Sequence, residues 1–188
     1  PNWINGAATN AGAVTFGSGL TGVAGAVSAA NSLVGSSTND NIGDTVQYLA
    51  NGSYLVKSSF SWDNGAATNA GAVTFGSGST GVSGVVSAAN SLVGTSSNDN
   101  VGSGVTELTN GNYVVQSPFW SNGTVAAVGA VTFASGKTGI SGSVSAGNSL
   151  VGSTANDRVG SVTALTNGNY VVSSGNWDNG GATNAGAV

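Results

Sequence analysis

The sequence predicts an all-β fold built from repeated four-stranded antiparallel units, and three observations predict it. Trp recurs at Trp3, Trp62, Trp120 and Trp177, each followed nine residues later by Gly-Ala-Val, starting at Gly12, Gly71, Gly129 and Gly186. A period of 57 to 59 residues means stacked or ringed units rather than one unique globule. Short apolar runs alternate with clusters of Gly, Asn, Asp and Ser that supply turn geometry. No window of helical period exceeds two turns, and in so Gly-rich a chain each Gly would cost a helix about 1 kcal/mol.

The units run over residues 1–61, 62–119 and 120–176, with a partial fourth over 177–188. In the second unit the expected strands are Ala72 to Phe75, Val82 to Leu92, Val105 to Leu108 and Tyr113 to Gln116. The long second strand rests on a period of two, with Val82, Gly84, Val86 and Ala88 facing one way. The last two strands are joined through Asn110-Gly111, repeated at Asn51-Gly52 and Asn167-Gly168, a hairpin signal because both residues accept positive φ. From Gly71 to Asp99 the interval is 28 residues, as it is from Gly12 to Asp40 and Gly129 to Asp157. The interval from Tyr54 to Trp62 is 8 residues, against 7 from Tyr113 to Trp120 and from Tyr170 to Trp177. Fixed length marks scaffold and variable length marks loops. Because the chain opens and closes inside a repeat, with Pro1-Asn2-Trp3 aligned on Pro118-Phe119-Trp120, it reads as a segment of a longer array.

Composition narrows the chemistry. There is no Cys, His or Met, and only 5% of residues are charged, against roughly 25% in an ordinary globular domain. A disulfide framework and a Cys-ligated metal site are excluded, and the commonest general base is missing. A net charge of -4, with Lys57, Lys137 and Arg158 scattered, argues against nucleic acid, whose binding needs clustered cations. No run of about 18 apolar residues occurs, so no membrane-inserted helix is expected. A surface of Ser, Thr, Asn and Gly points to an extracellular or cell-surface location.

One stretch carries a family resemblance. Gly71-Ala72-Val73-Thr74-Phe75, Asn90-Ser91-Leu92-Val93-Gly94, Asn98-Asp99-Asn100-Val101-Gly102-Ser103 and Leu108-Thr109-Asn110-Gly111-Asn112-Tyr113-Val114-Val115 together resemble a circularly permuted FG-GAP repeat. The resemblance implies the four-stranded blades of integrin-α-like β-propellers and of secreted bacterial repeat proteins. Ile42-Gly43, Val101-Gly102 and Val159-Gly160 stand where that family has Phe-Gly. The family's acidic calcium loop reads Ala50-Asn51-Gly52-Ser53, Thr109-Asn110-Gly111-Asn112 and Thr166-Asn167-Gly168-Asn169 here. With no carboxylate in it, calcium is not carried over, and no cofactor or metal is expected. Three units are fewer than the four to eight blades that close a ring, so a linear β-solenoid or fibre array is the alternative architecture.

The candidate ligand-binding positions are Trp3, Trp62, Trp120 and Trp177, a set of aromatic platforms for sugars. Asp63, Asn64, Asn122, Asp178 and Asn179 beside them would supply hydrogen bonds. The competing reading packs each Trp between units, and recurrence with the scaffold favours it. Asp40, Asp99 and Asp157 recur after Asn in turn-rich segments and read as Asx-turn caps rather than metal ligands. Catalysis has no constellation to support it, because a Ser nucleophile needs a base; lysine activation would need a pocket outside the repeat pattern, around Lys57 or Lys137. The expected function is a structural or adhesive repeat segment of a secreted or surface bacterial protein that self-associates into a fibre. The alternative is a propeller binding glycans or surface proteins at one Trp-centred site per blade.

Overall fold

A computed structural model describes residues 2–188; the Pro1 alignment lies outside the described residues. The described residues form fourteen short strands and no helix. They are β1 (Ala13–Thr15), β2 (Ser32–Val34), β3 (Thr45–Tyr48), β4 (Tyr54–Lys57), β5 (Ala72–Gly76), β6 (Gly84–Val85) and β7 (Ser91–Val93), then β8 (Gly104–Glu107), β9 (Tyr113–Ser117), β10 (Ala130–Ala134), β11 (Gly142–Ser143), β12 (Leu150–Val151), β13 (Ser161–Ala164) and β14 (Tyr170–Ser173). Four sheets follow one another along the chain. Their strand orders are β1-β2-β6, β11-β7-β5-β4-β3, β12-β10-β9-β8 and β13-β14.

The most complete sheet departs from the expected four antiparallel strands. Strands β3, β4, β5 and β7 pair antiparallel, but the fifth, β11, comes from the next repeat and pairs parallel to β7 through Leu92↔Gly142 and Val93↔Ser143. The same exchange places β6 on β2 through Leu33↔Gly84 and Val34↔Val85. The expected strand from Val82 to Leu92 is thus two strands in two different sheets. The break is local chemistry: the Asn90 side chain accepts from the Ser87 N–H (3.0 Å) and donates to the Val85 carbonyl (3.0 Å). Those bonds fold Val85 to Asn90 into a turn that a continuous strand would have to give up.

The central strands of the inner sheets, β5, β7, β9 and β10, are buried on both faces, which explains strands that read as unbroken apolar runs. Along β4 and β5, Leu55 and Val73 enter one inter-sheet core with Leu92, Tyr113 and Trp120, while Val56 and Ala72 enter another with Leu33, Ile42 and Trp62. A third core forms where Val114 and Val131 meet Val159, Val162 and Val172. Between sheets, Phe16 stacks on Tyr54 at 6.3 Å and 4°, and Phe133 on Tyr170 at 6.5 Å and 6°. Thr74 shares a buried hydroxyl bond with Ser91 at 2.6 Å, repeated as Thr15–Ser32 and Thr132–Ser149. Pairing each hydroxyl inside the sheet removes the cost of burying it.

The hairpin tips are not turns with two positive-φ residues. Only the glycine is left-handed (Gly52 at φ 86°), and its N–H donates to the Leu49 carbonyl at 2.9 Å. This is a type I turn closed by a glycine bulge, for which Asn-Gly also suffices. The tips then stack: Asn51 Nδ2 donates to the Gly136 carbonyl at 2.6 Å, Asn110 Nδ2 to Gly168 at 3.1 Å, and the Ala50 N–H to Glu107 Oε1 at 2.6 Å.

One position in the third unit is out of step. Asn10, Asn69 and Asn184 hold φ values of 54°, 52° and 51°, and Ala127 takes the same conformation at φ 50°. Asn tolerates this region where alanine is strained. Asn10 and Asn69 also donate to Asn39 Oδ1 and Asn98 Oδ1 at 3.1 and 3.3 Å. Ala127→Asn should therefore stabilise the chain by about 0.5–1 kcal/mol, read as a rise in the urea midpoint with an unchanged slope.

Candidate functional site

The residues that mark the period, Trp and Asp, meet in one structure at every junction between units. Each Trp opens a loop that closes on the Gly of Gly-Ala-Val: the Gly71 N–H donates to the Trp62 carbonyl at 3.1 Å, and Gly129 to Trp120 at 3.0 Å. The nine-residue spacing is the length of that loop. At its mouth glycine is required, because Gly71 sits at φ 78° and a Cβ there would lie 2.4 Å from the Val101 nitrogen. Inside the loop Asn64 and Ala67 exchange backbone bonds at 2.9 and 3.1 Å around Gly65.

Asp99 ties this loop to the preceding unit. Its buried carboxylate accepts from the N–H groups of Thr95 (2.9 Å) and Ser96 (2.8 Å) on one oxygen, and of Ser121 (3.0 Å) on the other. Ser121 directly follows Trp120. Asp40 repeats the pattern with Ser36, Ser37 and Asp63, and Asp157 with Ser153, Thr154 and Asp178. These are not Asx-turn caps, which bond forward two residues. The side chain reaches back to its own turn and across 21 to 23 residues to the next Trp loop. Burial raises the Asp40 carboxyl above its usual range, and the Asp63 carboxylate adds to the rise against the three backbone donors. At Asp157 burial also pushes upward, but the donors of Thr154, Ser153 and Asp178 outweigh it and hold the carboxyl below that range.

This geometry corrects the sugar-platform expectation at the two inner tryptophans. Trp62 and Trp120 are 3% exposed and belong to the inter-sheet cores, so neither ring offers a face to a ligand. Trp3 and Trp177, in the loops at either end of the series, are half-buried. The polar neighbours are largely spent on the scaffold. Asp63 accepts from the Asn69 N–H at 2.8 Å and Asp178 from Asn184 at 2.7 Å, while Asn64 Nδ2 donates to the Gly94 carbonyl at 2.8 Å. Asn122 and Asn179 form the tight turns with Val125 and Ala182. The Trp loops and the polar residues beside them form a structural clasp.

The exchanged strands complete the junction and were missed. Strand β6 leads Val86 into the core between the first and second sheets, and β11 leads Val144 into the next, each 3% exposed. A signal existed in Ser87-Ala88-Ala89-Asn90, a turn former inside a run of period two. The second and third units thus each hold their predecessor by an inserted strand, a carboxylate clasp and stacked hairpin tips, and the partial fourth holds the third by the clasp. That defines an all-β repeat protein whose neighbouring units interlock. The comparison with known families agrees: a profile described as a repeat of unknown function (DUF5650) matches residues 1–44, 48–103, 107–161 and 164–188, and the chain belongs to that repeat family. No curated protein and no solved structure matches it.

Proposed function

We propose that this chain is a structural and adhesive repeat segment, carried on the outside of a bacterial cell or secreted from it, whose units join in series and self-associate into a fibre. The observation that carries this reading is the strand exchange, because it makes the two faces of a unit complementary to each other rather than to themselves. Such a head-to-tail contact propagates in one direction. Where the exchange is made, Val86 and Val144 are 3% exposed; the equivalent Val27 is 39% exposed and Leu150 on β12 is 57% exposed. A following unit, in the same chain or from a second copy, would lay its strand on β12 and cover Leu150, and a preceding unit's counterpart of β12 would receive the Gly25–Val27 stretch. Few charges oppose the approach, since only 5% of residues carry one. The polar groups at the junctions serve the clasp, which supports a role in assembly rather than catalysis.

Sheets whose central strands bury both faces and that follow one another along the chain also suit propeller blades of the FG-GAP kind, and one experiment separates ring from row. Light scattering and negative-stain microscopy of the 188-residue chain should show mass growing with concentration, and unbranched filaments. Val27→Glu should abolish growth and leave the melting temperature of the single chain unchanged. Discs of fixed mass would replace the fibre with a closed propeller. A monomer at every concentration would sink both.

A further inference from the structure

One cleft stands outside the repeat pattern. The connection after β4 is a residue longer than its counterpart after β9, reading Lys57-Ser58-Ser59-Phe60-Ser61-Trp62 against Gln116-Ser117-Pro118-Phe119-Trp120. It borders a cleft of about 230 Å³ that Asp44, Thr45, Lys57, Ser59, Phe60 and Ser103 help to line. Ser103 belongs to the next unit, so the cleft bridges two sheets.

Three features of this cleft lack a structural partner. Lys57 is half-buried, and burial alone lowers its ammonium below the usual lysine value, a shift that Asp44 in the same cleft does not offset. The Ser59 hydroxyl is buried without a hydrogen-bond partner, in a residue 6% exposed. A buried hydroxyl left unpaired costs about 1–3 kcal/mol. Phe60 is 61% exposed, whereas its counterpart Phe119 is 38% exposed beneath the Arg158 guanidinium at 5.7 Å. A half-buried cation that Asp44 does not offset, an open aromatic face and several hydroxyls are the separate parts of an acidic-sugar site.

We infer that this cleft binds a uronic acid residue of an acidic polysaccharide, its carboxylate paired with Lys57 and its ring stacked on Phe60. The carboxylate supplies the charge that Lys57 lacks, and in a half-buried cleft that pairing is screened less than at an open surface. The apolar face of the sugar ring covers Phe60, and Asp44 and Thr45 at the rim accept from and donate to ring hydroxyls. The site uses none of the junction residues, so it stands or falls independently of fibre formation.

The test is calorimetric titration of the 188-residue chain with trigalacturonate, with galactotriose of equal length, and with acetate. Trigalacturonate should bind; galactotriose and acetate should each be weaker by about tenfold or more, because each lacks one of the two anchors. Lys57→Gln installs the residue that the next unit carries at this position, so it fits the fold. It and Phe60→Ala should each weaken trigalacturonate by about tenfold or more, with melting unchanged. Equal binding of galactotriose would overturn the role of Lys57, equal binding of acetate would overturn the sugar, and no binding of trigalacturonate would overturn the site.

Discussion

Asp99→Ala is expected to cost about 3–5 kcal/mol and to split unfolding into two transitions. The carboxylate sits fully buried among the N–H groups of Thr95, Ser96 and Ser121. Removing it orphans three part-buried donors at once, and an unpaired buried group costs about 1–3 kcal/mol. Some of that is recovered by water entering the gap, which sets the lower end of the range. The split follows from where the bonds go. Two of them hold the turn of the second unit and the third holds the loop of the third, so the loss falls on the coupling between neighbours. In a repeat array stability is a sum of unit and interface contributions, and weakening one interface uncouples the parts on either side. Urea titration followed by hydrogen exchange at Ser121 reads both effects. Asp99→Asn, which keeps one acceptor oxygen, should lose less. A single transition shifted by under about 0.5 kcal/mol would show that the clasp contributes nothing beyond packing.

Trp62→Ala should cost a further class of energy, about 3–5 kcal/mol from an unfilled cavity. The ring is 3% exposed and packs with Leu33, Ile42 and Val56 between the first two sheets. Its indole N–H is buried without a partner, so Trp62→Phe tests a different point. That change removes an unpaired donor along with part of the ring, and its cost should be well under half that of alanine. Thermal melts of the three chains suffice. If Trp62→Ala keeps its fold and stability, the residue is not a core residue, and a ligand role at this position returns. The same comparison at Trp120, equally buried and also with an unpaired N–H, should give the same order.

Much of this architecture is written in local sequence. The units, the all-β class and the hairpins at Asn51-Gly52, Asn110-Gly111 and Asn167-Gly168 follow from spacing and turn chemistry, which act over a few residues. The strands β5, β8 and β9 lie within about one residue of their expected bounds. The fixed interval from Gly71 to Asp99 marked a rigid half-unit, and the structure supplies its cause: Asn98, Asn100 and Val101 bond back to Thr68, Asn69 and Ala70. The extra residue before Trp62 marked the loop that now borders the Lys57 cleft.

What the sequence could not settle was which partner each group would choose. The run from Val82 to Leu92 satisfies a period of two throughout, yet β6 joins one sheet and β7 another, because a parallel edge left open by the preceding unit competes for the first half of it. A side chain's periodicity sets which way it faces, and says nothing about which sheet lies there. For the same reason Trp120 and Asp99 were legible as repeated and polar or aromatic, but not as the two halves of one junction. Repetition by itself determined that the units are alike and β-built; tertiary structure decided that they interlock, since hydrogen-bond partners and burial depend on neighbours tens of residues away.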